Sequence, residues 1–249
     1  MKVDLNVDIG EGFPHDEALL EFATSANVCL GAHAGSTQLS IHTMDLCWRK
    51  GVRVGAHPGY PDRESMGRKP IADVDPREAL KWLRSIADQL AFAHFIKEIR
   101  YCKPHGAFYN DTAVPFTDDL NRIRKYNPSR IERNTFDRWI LNMPENRPLR
   151  ALQMTQKTIM GLPETAQEII SRNFIREGFA DRRYNSNGTL VPRCEPNAIL
   201  EDREEIRQQV LDLAPRVDSI CLHGDTPNCL EFAELVKKTL IDGGYDVGF

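Results

Sequence analysis

The sequence predicts an α/β fold in which parallel strands form a closed or nearly closed barrel. About seven short apolar runs of strand length alternate with helical segments along the chain, which is typical of parallel sheets with right-handed crossovers. Each run ends in a glycine or proline turn that carries polar side chains, as where Val54-Gly55-Ala56-His57 leads into Pro58 and Gly59. Polar groups that follow parallel barrel strands converge on one mouth, whereas an open doubly wound sheet offers them only a single crevice.

Four strands are predicted in the first half of the chain, each followed by a polar turn. They cover residues 3–9, 26–30, 52–56 and 98–102. The first alternates loosely and is stopped by Gly10 and Gly12. Helices are predicted over 16–23, with Asp16 as the N-cap, and over 37–50, with Gly51 as the C-terminal stop.

The strongest helix signal begins at Asp75-Pro76, because aspartate is a good N-cap and proline suits the first turn. One face of this helix carries apolar residues at helical spacing. That face comprises Leu80, Leu83, Ala87, Leu90 and His94. We interpret His94 as a packed core or interface histidine rather than a ligand.

Three further strands are predicted in the second half, over 149–154, 173–177 and 219–222. Helices are predicted over 163–172, over 201–213, and from Thr226-Pro227 to about 241, with Thr226 as the cap. Asn187-Gly188 indicates a turn. Residues 111–147, rich in Asn, Arg and Pro, are predicted to form a surface excursion with a short helix at 135–141, acting as a lid or an oligomer contact.

Composition places residues 1–249 in one domain, since 41% of the residues are hydrophobic and no linker-like stretch divides the chain. The net charge is −4 and no basic run indicates a nucleic-acid groove. No apolar run has the length of a membrane span, and the N-terminus lacks a signal-peptide pattern, so we expect a cytoplasmic protein. The six cysteines form no paired motif and are predicted to be reduced.

The polar residues that follow the strands are the candidate active site. They are Asp8, Glu11, His33, His57, Asp62, Lys103, His105, Glu177, Asp181, Arg182, His223 and Asp225. Four of the seven histidines of the chain lie in this set, which is hard to reconcile with turn formation alone. Asp62, Asp225 and Arg193 are interpreted as a turn residue, a helix cap and a surface charge.

Two reaction classes suit such a mouth. In metal-assisted hydrolysis, Asp8 with His33 and His57 would form a divalent-metal site. In metal-free acyl chemistry, a carboxylate or histidine would activate water while Lys103 or His105 stabilises an oxyanion. A small acid would pair its carboxylate with Lys103 or Arg182. Neither G-x-x-x-x-G-K-[ST] nor G-x-G-x-x-G occurs, so any ATP that is needed would bind to a partner chain.

Several blocks of the sequence together resemble the LamB/YcsF family. They are Asn6 to Glu11, His33 to Gly35, Gly55 to Asp62, Lys103 to Asn110, Phe179 to Arg182 with Leu190 to Arg193, and His223 to Pro227. The resemblance implies an irregular seven-stranded β/α barrel of the glycoside hydrolase/deacetylase type. It further implies the A component of a 5-oxoprolinase, which opens 5-oxo-L-proline to L-glutamate with ATP and with partner subunits B and C.

Carried over to this sequence, the resemblance assigns roles to eleven residues. Water activation or proton transfer falls to Asp8, His57, His105 and Asp181; oxyanion or phosphate binding to Lys103 and His223; and the substrate end to Asn6, Glu11, His33, Tyr60 and Arg182. Leu30 stands where the family has a cysteine and Ser36 where it has an acid, and residues 111–147 do not look like the family. These departures indicate a divergent paralogue.

Two other functional hypotheses remain open. One is a stand-alone metal-dependent deacetylase or amidohydrolase that acts on a small amide or sugar without ATP. The other is a non-enzymatic barrel kept as a scaffold in a complex. A homo-oligomer is compatible with all three readings.

Overall fold

Seven parallel strands close into a barrel in a computed structural model of the chain, which describes residues 1–114, 147–155, 157–171, 173–193, 195–226 and 228–249. The strands are β1 Lys2–Ile9, β2 Ser25–Cys29, β3 Arg53–His57, β4 Ile99–Cys102, β5 Thr158–Gly161, β6 Phe174–Phe179 and β7 Ser219–His223. Their order around the barrel is β2, β3, β4, β5, β6, β7, β1, and β1 pairs again with β2. The predicted seven-stranded β/α barrel is therefore confirmed.

Helices surround this barrel among the described residues. They are α1 Asp16–Leu19, α2 Thr37–Arg49, α3 Pro76–Phe95, α4 Gly106–Thr112, α5 Arg147–Leu152, α6 Ala166–Ile170, α7 Arg203–Leu213 and α8 Cys229–Asp242, with a 3₁₀ turn at Ile71–Asp73. A short strand, β8 Asp246–Val247, pairs with the start of β1. No helix of the described ranges is both long and apolar enough to cross a membrane.

The two faces of β1 show how the barrel divides polar from apolar side chains. Val3, Leu5 and Val7 are fully buried in the apolar layer that also contains Val236 and Leu240 of α8. The alternate residues of β1 are polar and turn inward, where they hydrogen-bond across the barrel. Because strand side chains alternate between faces, the apolar layer lies between strands and helices, and the barrel interior is polar.

The fifth strand is not where the sequence pattern indicated. Residues 149–154 begin in helix α5, and the strand is Thr158–Gly161 instead. Leu149, Ala151 and Leu152 are fully buried, as suits one face of a short helix, and Pro148 lies in the first turn, where a missing N–H costs little. A short apolar run does not distinguish a buried strand from a buried helix.

Helix α3 begins as predicted, and the Asp75 carboxylate accepts hydrogen bonds from the backbone N–H groups of Arg77 and Glu78 at 3.0 and 3.1 Å. Its buried face is rotated from the predicted one. The buried apolar side chains are Ala79, Trp82, Leu83, Ile86, Leu90 and Ala93. His94 is exposed, so its interpretation as a core residue is wrong, while its alternative as an interface histidine stays a prediction.

Two predicted helix caps are also wrong. Asp16 lies inside the first turn of α1, and its carboxylate accepts a hydrogen bond from the Gly10 backbone N–H at 2.7 Å instead. The N-cap of α8 is Asn228, and the buried Thr226 hydroxyl finds no partner among the described residues. Neither predicted side chain therefore accepts a hydrogen bond from a backbone N–H group in the first turn of its helix.

Some predictions fall outside the described residues. These are the helix at 135–141, most of the excursion at 111–147, and Pro227 as the first residue of the last helix. The assignment of residues 1–249 to one domain stays a prediction. Among the described cysteines, five are free and buried: Cys29, Cys47, Cys102, Cys221 and Cys229. This confirms their interpretation as reduced, packed side chains.

Candidate active site at the mouth of the barrel

The carboxyl ends of the strands bring the predicted site residues together. Asp8 and His57 lie at the ends of β1 and β3, Lys103 directly follows β4, and His223 ends β7. All four are buried or nearly so. The convergence follows from the parallel barrel, because every strand carries its last inward-facing residue to the same rim.

A chain of polar side chains runs up the barrel interior toward Asp8. Ser219 donates to Asp4 at 2.5 Å, and Asn6 donates to Ser219 at 2.8 Å. Asn27 then donates to both Asn6 and Asp8, at 2.7 and 2.8 Å. A connected network of this kind holds its members in one arrangement. The hydrogen bond from Asn27 therefore fixes the position of Asp8 Oδ1.

Lys103 completes that support. Its Nζ lies 2.8 Å from Asp8 Oδ1, 2.9 Å from Glu177 Oε1 and 2.9 Å from Cys221 Sγ, and the residue is 1% exposed. Burial opposes the charge on Lys103, but Asp8, Cys221 and Glu177 raise its pKa well above the usual value. An ammonium group has three N–H donors, and those of Lys103 are directed at Asp8, Cys221 and, at 3.4 Å, Asn6. Its role as an oxyanion donor stays a prediction.

Asp8 is held as an anion. Burial alone would raise the pKa of its carboxyl, but the neighbouring His57 and Lys103 outweigh burial and hold this pKa well below its usual value. Its second oxygen, Oδ2, faces the mouth, 3.4 Å from His57 Nε2 and 3.9 Å from His223 Nε2. These separations are longer than a good hydrogen bond, and they allow a water molecule to contact the carboxylate.

His223 and Asp181 form an acid–base pair at the rim. Asp181 accepts hydrogen bonds from the Nδ1–H of His223 at 2.9 Å and from its backbone N–H at 3.1 Å. Burial would raise the pKa of Asp181, but His223 lowers it below the usual value. Since Asp181 holds Nδ1 as the protonated nitrogen, Nε2 faces Asp8 and is free to accept or donate a proton.

Three histidines and one glutamate line the other side of the mouth. The Nδ1–H of His57 donates to the Lys103 carbonyl at 2.8 Å, and the Nε2–H of His105 donates to the Met66 carbonyl at 2.8 Å. Their remaining nitrogens, His57 Nε2 and His105 Nδ1, face each other at 2.9 Å. Glu11 Oε1 lies 3.2 Å from His33 Nε2.

The histidines differ in charge preference. Burial would lower the pKa of His33, but its contacts with Cys29 and Glu11 raise it to about 9. Burial, together with the nearby His33 and His57, lowers the pKa of His105 well below its usual value. The His33 and His105 rings stack with centroids 3.8 Å apart, so a charged and a neutral imidazole lie face to face.

The candidate metal ligands are not grouped as predicted. Two sets of described side chains bring ligand atoms within 4.8 Å of one another: Glu11, His33, His57 and His105 form one, and Asp8, Cys221 and His223 form the other. The predicted trio of Asp8, His33 and His57 is therefore divided between them. The residues that surround His57 and His105 fit a divalent ion better than a purely packed cluster, because backbone carbonyls already orient both rings.

Arg193 and Asp225 were predicted to be a surface charge and a helix cap, and both interpretations are wrong. Arg193 Nη1 and Arg68 Nη2 each donate to Asp225 Oδ2 at 2.5 Å. Burial would raise the pKa of Asp225, but Arg193, His223 and Arg68 lower it to about 2. Arg193 Nη2 and Asp225 Oδ1 are buried without a hydrogen-bond partner among the described residues, so this pair has polar capacity left for a ligand.

Two predicted substrate contacts have hydrogen-bond partners outside the group around Asp8. Tyr60 is fully buried against Trp82 and Phe108, and its hydroxyl donates to Asp111 at 2.9 Å. The Arg182 guanidinium donates to the backbone carbonyls of Val191 and Ala198. The substrate roles of Tyr60 and Arg182 stay predictions, and the charges of Asp181 and Asp225 still act on the pKa of Arg182.

Three other residues can be compared with their predictions. Asn6 lies one layer below Asp8 in the interior network rather than at the substrate end. Asp62 accepts hydrogen bonds from Ser65 within its own turn, as predicted. Glu177, a member of the candidate set, is fully buried and accepts a hydrogen bond from the Tyr109 hydroxyl at 3.0 Å.

The two departures from the family pattern have structural explanations. Ser36 is the N-cap of α2, and its hydroxyl accepts a hydrogen bond from the Leu39 N–H at 3.1 Å. Leu30 is partly buried against the apolar layer. Cys29, one place before Leu30, lies with its Sγ 4.0 Å from His33 Nδ1.

Comparisons with known proteins agree with this picture. The LamB/YcsF family matches residues 3–118 and 149–248. A protein of Neisseria meningitidis serogroup C, named as the A component of 5-oxoprolinase, is 36% identical, covering 99% of this chain and 98% of that one. A Pyrococcus abyssi protein of the same name is 37% identical over 99% of this chain and 97% of its own.

A solved structure shares the fold over the full length. The lactam utilization protein from Thermus thermophilus superposes with a TM-score of 0.70 at 26% sequence identity, covering 100% of this chain and 99% of that one. The sequence match and the barrel therefore agree, and the chain belongs to the LamB/YcsF family.

Proposed function

We propose that this chain is the A component of a 5-oxoprolinase, which opens the lactam of 5-oxo-L-proline to L-glutamate in an ATP-dependent reaction. The observation that carries the proposal is the 36–37% identity, over nearly the whole length, to proteins that bear this name. The name implies partner subunits, which we take to be B and C. We place the reaction in the cytoplasm.

The reaction hydrolyses a cyclic amide. Water adds to the ring carbonyl carbon, the carbon–nitrogen bond breaks, the nitrogen takes up a proton, and a second carboxylate appears in the product. A five-membered lactam is a stable amide, so coupling to ATP drives its opening toward glutamate. The partner subunits bind the ATP, since this sequence contains no phosphate-binding loop.

Asp8 and His223 together orient and deprotonate the attacking water molecule. Asp8 Oδ2 and His223 Nε2 are 3.9 Å apart and face each other across the mouth. A water between them can be oriented by the anionic carboxylate and deprotonated by the imidazole. Asp181 stabilises the imidazolium that results, and His223 then returns the proton to the departing ring nitrogen.

Arg193 binds the carboxylate of the substrate. Its guanidinium is tied to Asp225 through Nη1, while the buried Nη2 has no partner among the described residues. An arginine with N–H groups to spare suits a carboxylate. Burial would lower the pKa of Arg193, but the charges of Asp225, Asp181 and Asp8 raise it above the usual value. We favour Arg193 over Lys103, which is bonded to Asp8 and Cys221, and over Arg182, which donates to two backbone carbonyls.

Glutamate release from 5-oxo-L-proline tests the proposal. We would compare the purified chain alone with the chain plus the B and C subunits of a bacterial 5-oxoprolinase, each with and without ATP. Glutamate formed only with both partners and ATP supports the assignment. Turnover of simple amides by the chain alone, without ATP, supports the stand-alone amidohydrolase instead.

The His223→Gln variant tests the mechanism in the same assay. General acid–base catalysis contributes about 10²–10⁴-fold, so kcat is expected to fall by at least about 100-fold with an unchanged fold. His42→Gln is the matched control, because His42 is exposed on α2. Full activity in His223→Gln removes His223 from the catalytic machinery.

A further inference from the structure

We propose that His57, His105 and Glu11 bind one divalent transition-metal ion of the zinc type, with a coordination position open toward Asp8. Two imidazoles and one carboxylate with an open position are a ligand set of catalytic zinc sites. The proposal concerns metal binding by this chain and does not depend on which amide the site hydrolyses.

The first argument is that a nitrogen lone pair of His57 faces a nitrogen lone pair of His105. His57 uses its Nδ1–H, and His105 its Nε2–H, to bond backbone carbonyls at 2.8 Å. A carbonyl only accepts hydrogen bonds, so in the neutral rings His57 Nε2 and His105 Nδ1 both present lone pairs. These nitrogens are 2.9 Å apart in a buried position, where a cation between them removes their repulsion.

The second argument is the spacing of the ligand atoms. A tetrahedral centre with bonds of about 2.0–2.1 Å places its ligands about 3.3 Å apart. The three separations here are 2.9 Å between the histidine nitrogens, 3.4 Å from His105 Nδ1 to Glu11 Oε1 and 3.9 Å from His57 Nε2 to Glu11 Oε1. These distances bracket the tetrahedral edge, so small side-chain rotations complete the site.

The third argument is the support around the ligands. Metal-binding histidines usually have the other ring nitrogen bonded to a carbonyl or carboxylate, which fixes the ring and its tautomer. Both His57 and His105 have that bond. The third ligand is supported as well, because Glu11 Oε1 lies 3.2 Å from His33 Nε2.

His33 is a positioning residue rather than a ligand. Its ring is parallel to that of His105 within 1°, at a centroid separation of 3.8 Å. A ring nitrogen donates its lone pair in the plane of the ring, so two stacked rings cannot both aim at one ion. The rings of His57 and His105 are near-perpendicular, at 84°, and have no such conflict.

The open position faces Asp8, whose Oδ2 lies 3.4 Å from His57 Nε2. A water bound to the ion on that side would contact this carboxylate. A divalent ion lowers the pKa of bound water, so the site would supply a hydroxide next to Asp8.

Direct metal binding tests the proposal. The purified full-length chain would be stripped with a chelator, dialysed, and titrated with Zn²⁺ and with Co²⁺ by calorimetry and absorption spectroscopy. We expect one ion per chain. We also expect Co²⁺ to give visible bands without a sulfur-to-metal charge-transfer band, because no cysteine is among the three ligands.

Four variants identify the ligands, each checked for native circular dichroism and thermal unfolding. His105→Gln and Glu11→Gln should weaken binding by more than about 100-fold, and the supporting change His33→Gln by about 10–100-fold. His94→Gln, at an exposed histidine on α3, should leave binding unchanged.

Three results would overturn the proposal. One is absence of binding to the folded chain at millimolar ion, which would mean that His57 and His105 share a proton. Another is undiminished binding in folded His105→Gln or Glu11→Gln. The last is a cobalt–thiolate band, which would place the ion at Asp8, Cys221 and His223. If a ligand variant does not fold, the cobalt spectrum of the unaltered chain still decides between the two groups.

Discussion

Single residues at the mouth owe their properties to neighbours that are distant in sequence. Asp225 illustrates this, because two arginines donate to the same carboxylate oxygen from chain positions 157 and 32 residues away. Its charge is thereby maintained in a partly buried position. The same contact holds Arg193 through Nη1, and its Nη2 has no hydrogen-bond partner among the described residues.

The Asp225→Asn variant should have a free energy of unfolding that depends less on pH in the acidic range. The folded-state pKa of Asp225 is about 2, against an ordinary value of 3.8. A depressed carboxyl pKa adds stability that is fully present above about pH 4 and is lost as the pH falls toward about 2. The shift corresponds to roughly 2 kcal/mol.

Urea unfolding at several pH values between about 7 and 3 measures this effect. The unaltered chain should exceed Asp225→Asn by about 2 kcal/mol at neutral pH, and the gap should narrow below about pH 4. A gap that stays constant down to the lowest pH would show that the ion pairs do not stabilise the fold.

Arg193→Gln should impair recognition of the substrate carboxylate. A hydrogen bond to a charged group is worth about 1.5–3 kcal/mol, so KM for 5-oxo-L-proline should rise about 10–150-fold. The inhibition constant of 2-pyrrolidinone, the same lactam without a carboxylate, should stay unchanged. Arg77→Gln, at an exposed position in α3, is the control, and equal effects on both lactams would contradict the assignment.

At the scale of elements, the close packing of neighbouring strands limits the size of the side chains that fit between them. Gly55 in β3 lies directly beneath the ring of Tyr101 in β4, and a Cβ atom at Gly55 would be 2.2 Å from Tyr101 Cε2. Tyr101 is fully buried, and its hydroxyl donates to Asn27 Oδ1 at 2.7 Å. The glycine therefore lets the tyrosine reach the interior network.

Gly55→Ala should consequently destabilise the protein. Overpacking a well-filled interior costs about 1–3 kcal/mol, and here the ring that must move is held by a hydrogen bond. Thermal and urea unfolding measure the loss. Gly248→Ala is the matched control, since nothing lies within 4 Å of a Cβ placed there. Equal stability of the two variants would show that Tyr101 moves aside without cost.

At the scale of the whole molecule, a polar barrel interior is enclosed by an apolar layer. The interior contains the charges of Asp8, Lys103 and Glu177, all buried. Such groups are tolerated only when paired, and Lys103 supplies the positive charge that the two carboxylates need. The stability of the barrel and the geometry of the site thus depend on the same cation.

Lys103→Met should destabilise the fold strongly. Removing one partner of a buried ion pair costs about 3–5 kcal/mol, and here two carboxylates lose their counter-charge. Urea unfolding at neutral pH measures the effect, and Lys81→Met, at an exposed lysine of α3, should change little. The loss should shrink in the triple variant with Asp8→Asn and Glu177→Gln, because no uncompensated charge then remains; an undiminished loss would mean that packing, not charge, is responsible.

Much of the fold follows from local patterns in the chain. Alternating apolar runs and helices predicted the parallel barrel, and glycine or proline turns marked Asp8, His57, His105 and His223 as neighbours at one mouth. The strand proposed at 149–154 was wrong because its short apolar run suits either state. His94 was wrongly placed in the core because the packing face of a helix is chosen by its partner, not by periodicity alone.

The sequence by itself determined the fold class, the family and the polar strand ends, because these depend on residues close together in the chain. Only the tertiary structure decided what each polar group contacts. It paired Arg193 with Asp225, occupied the ammonium group of Lys103 and bonded Arg182 to backbone carbonyls. It also buried Tyr60 and brought His57, His105 and Glu11 into ligand spacing. These contacts join residues from different strands and loops, and their geometry arises only when the barrel closes.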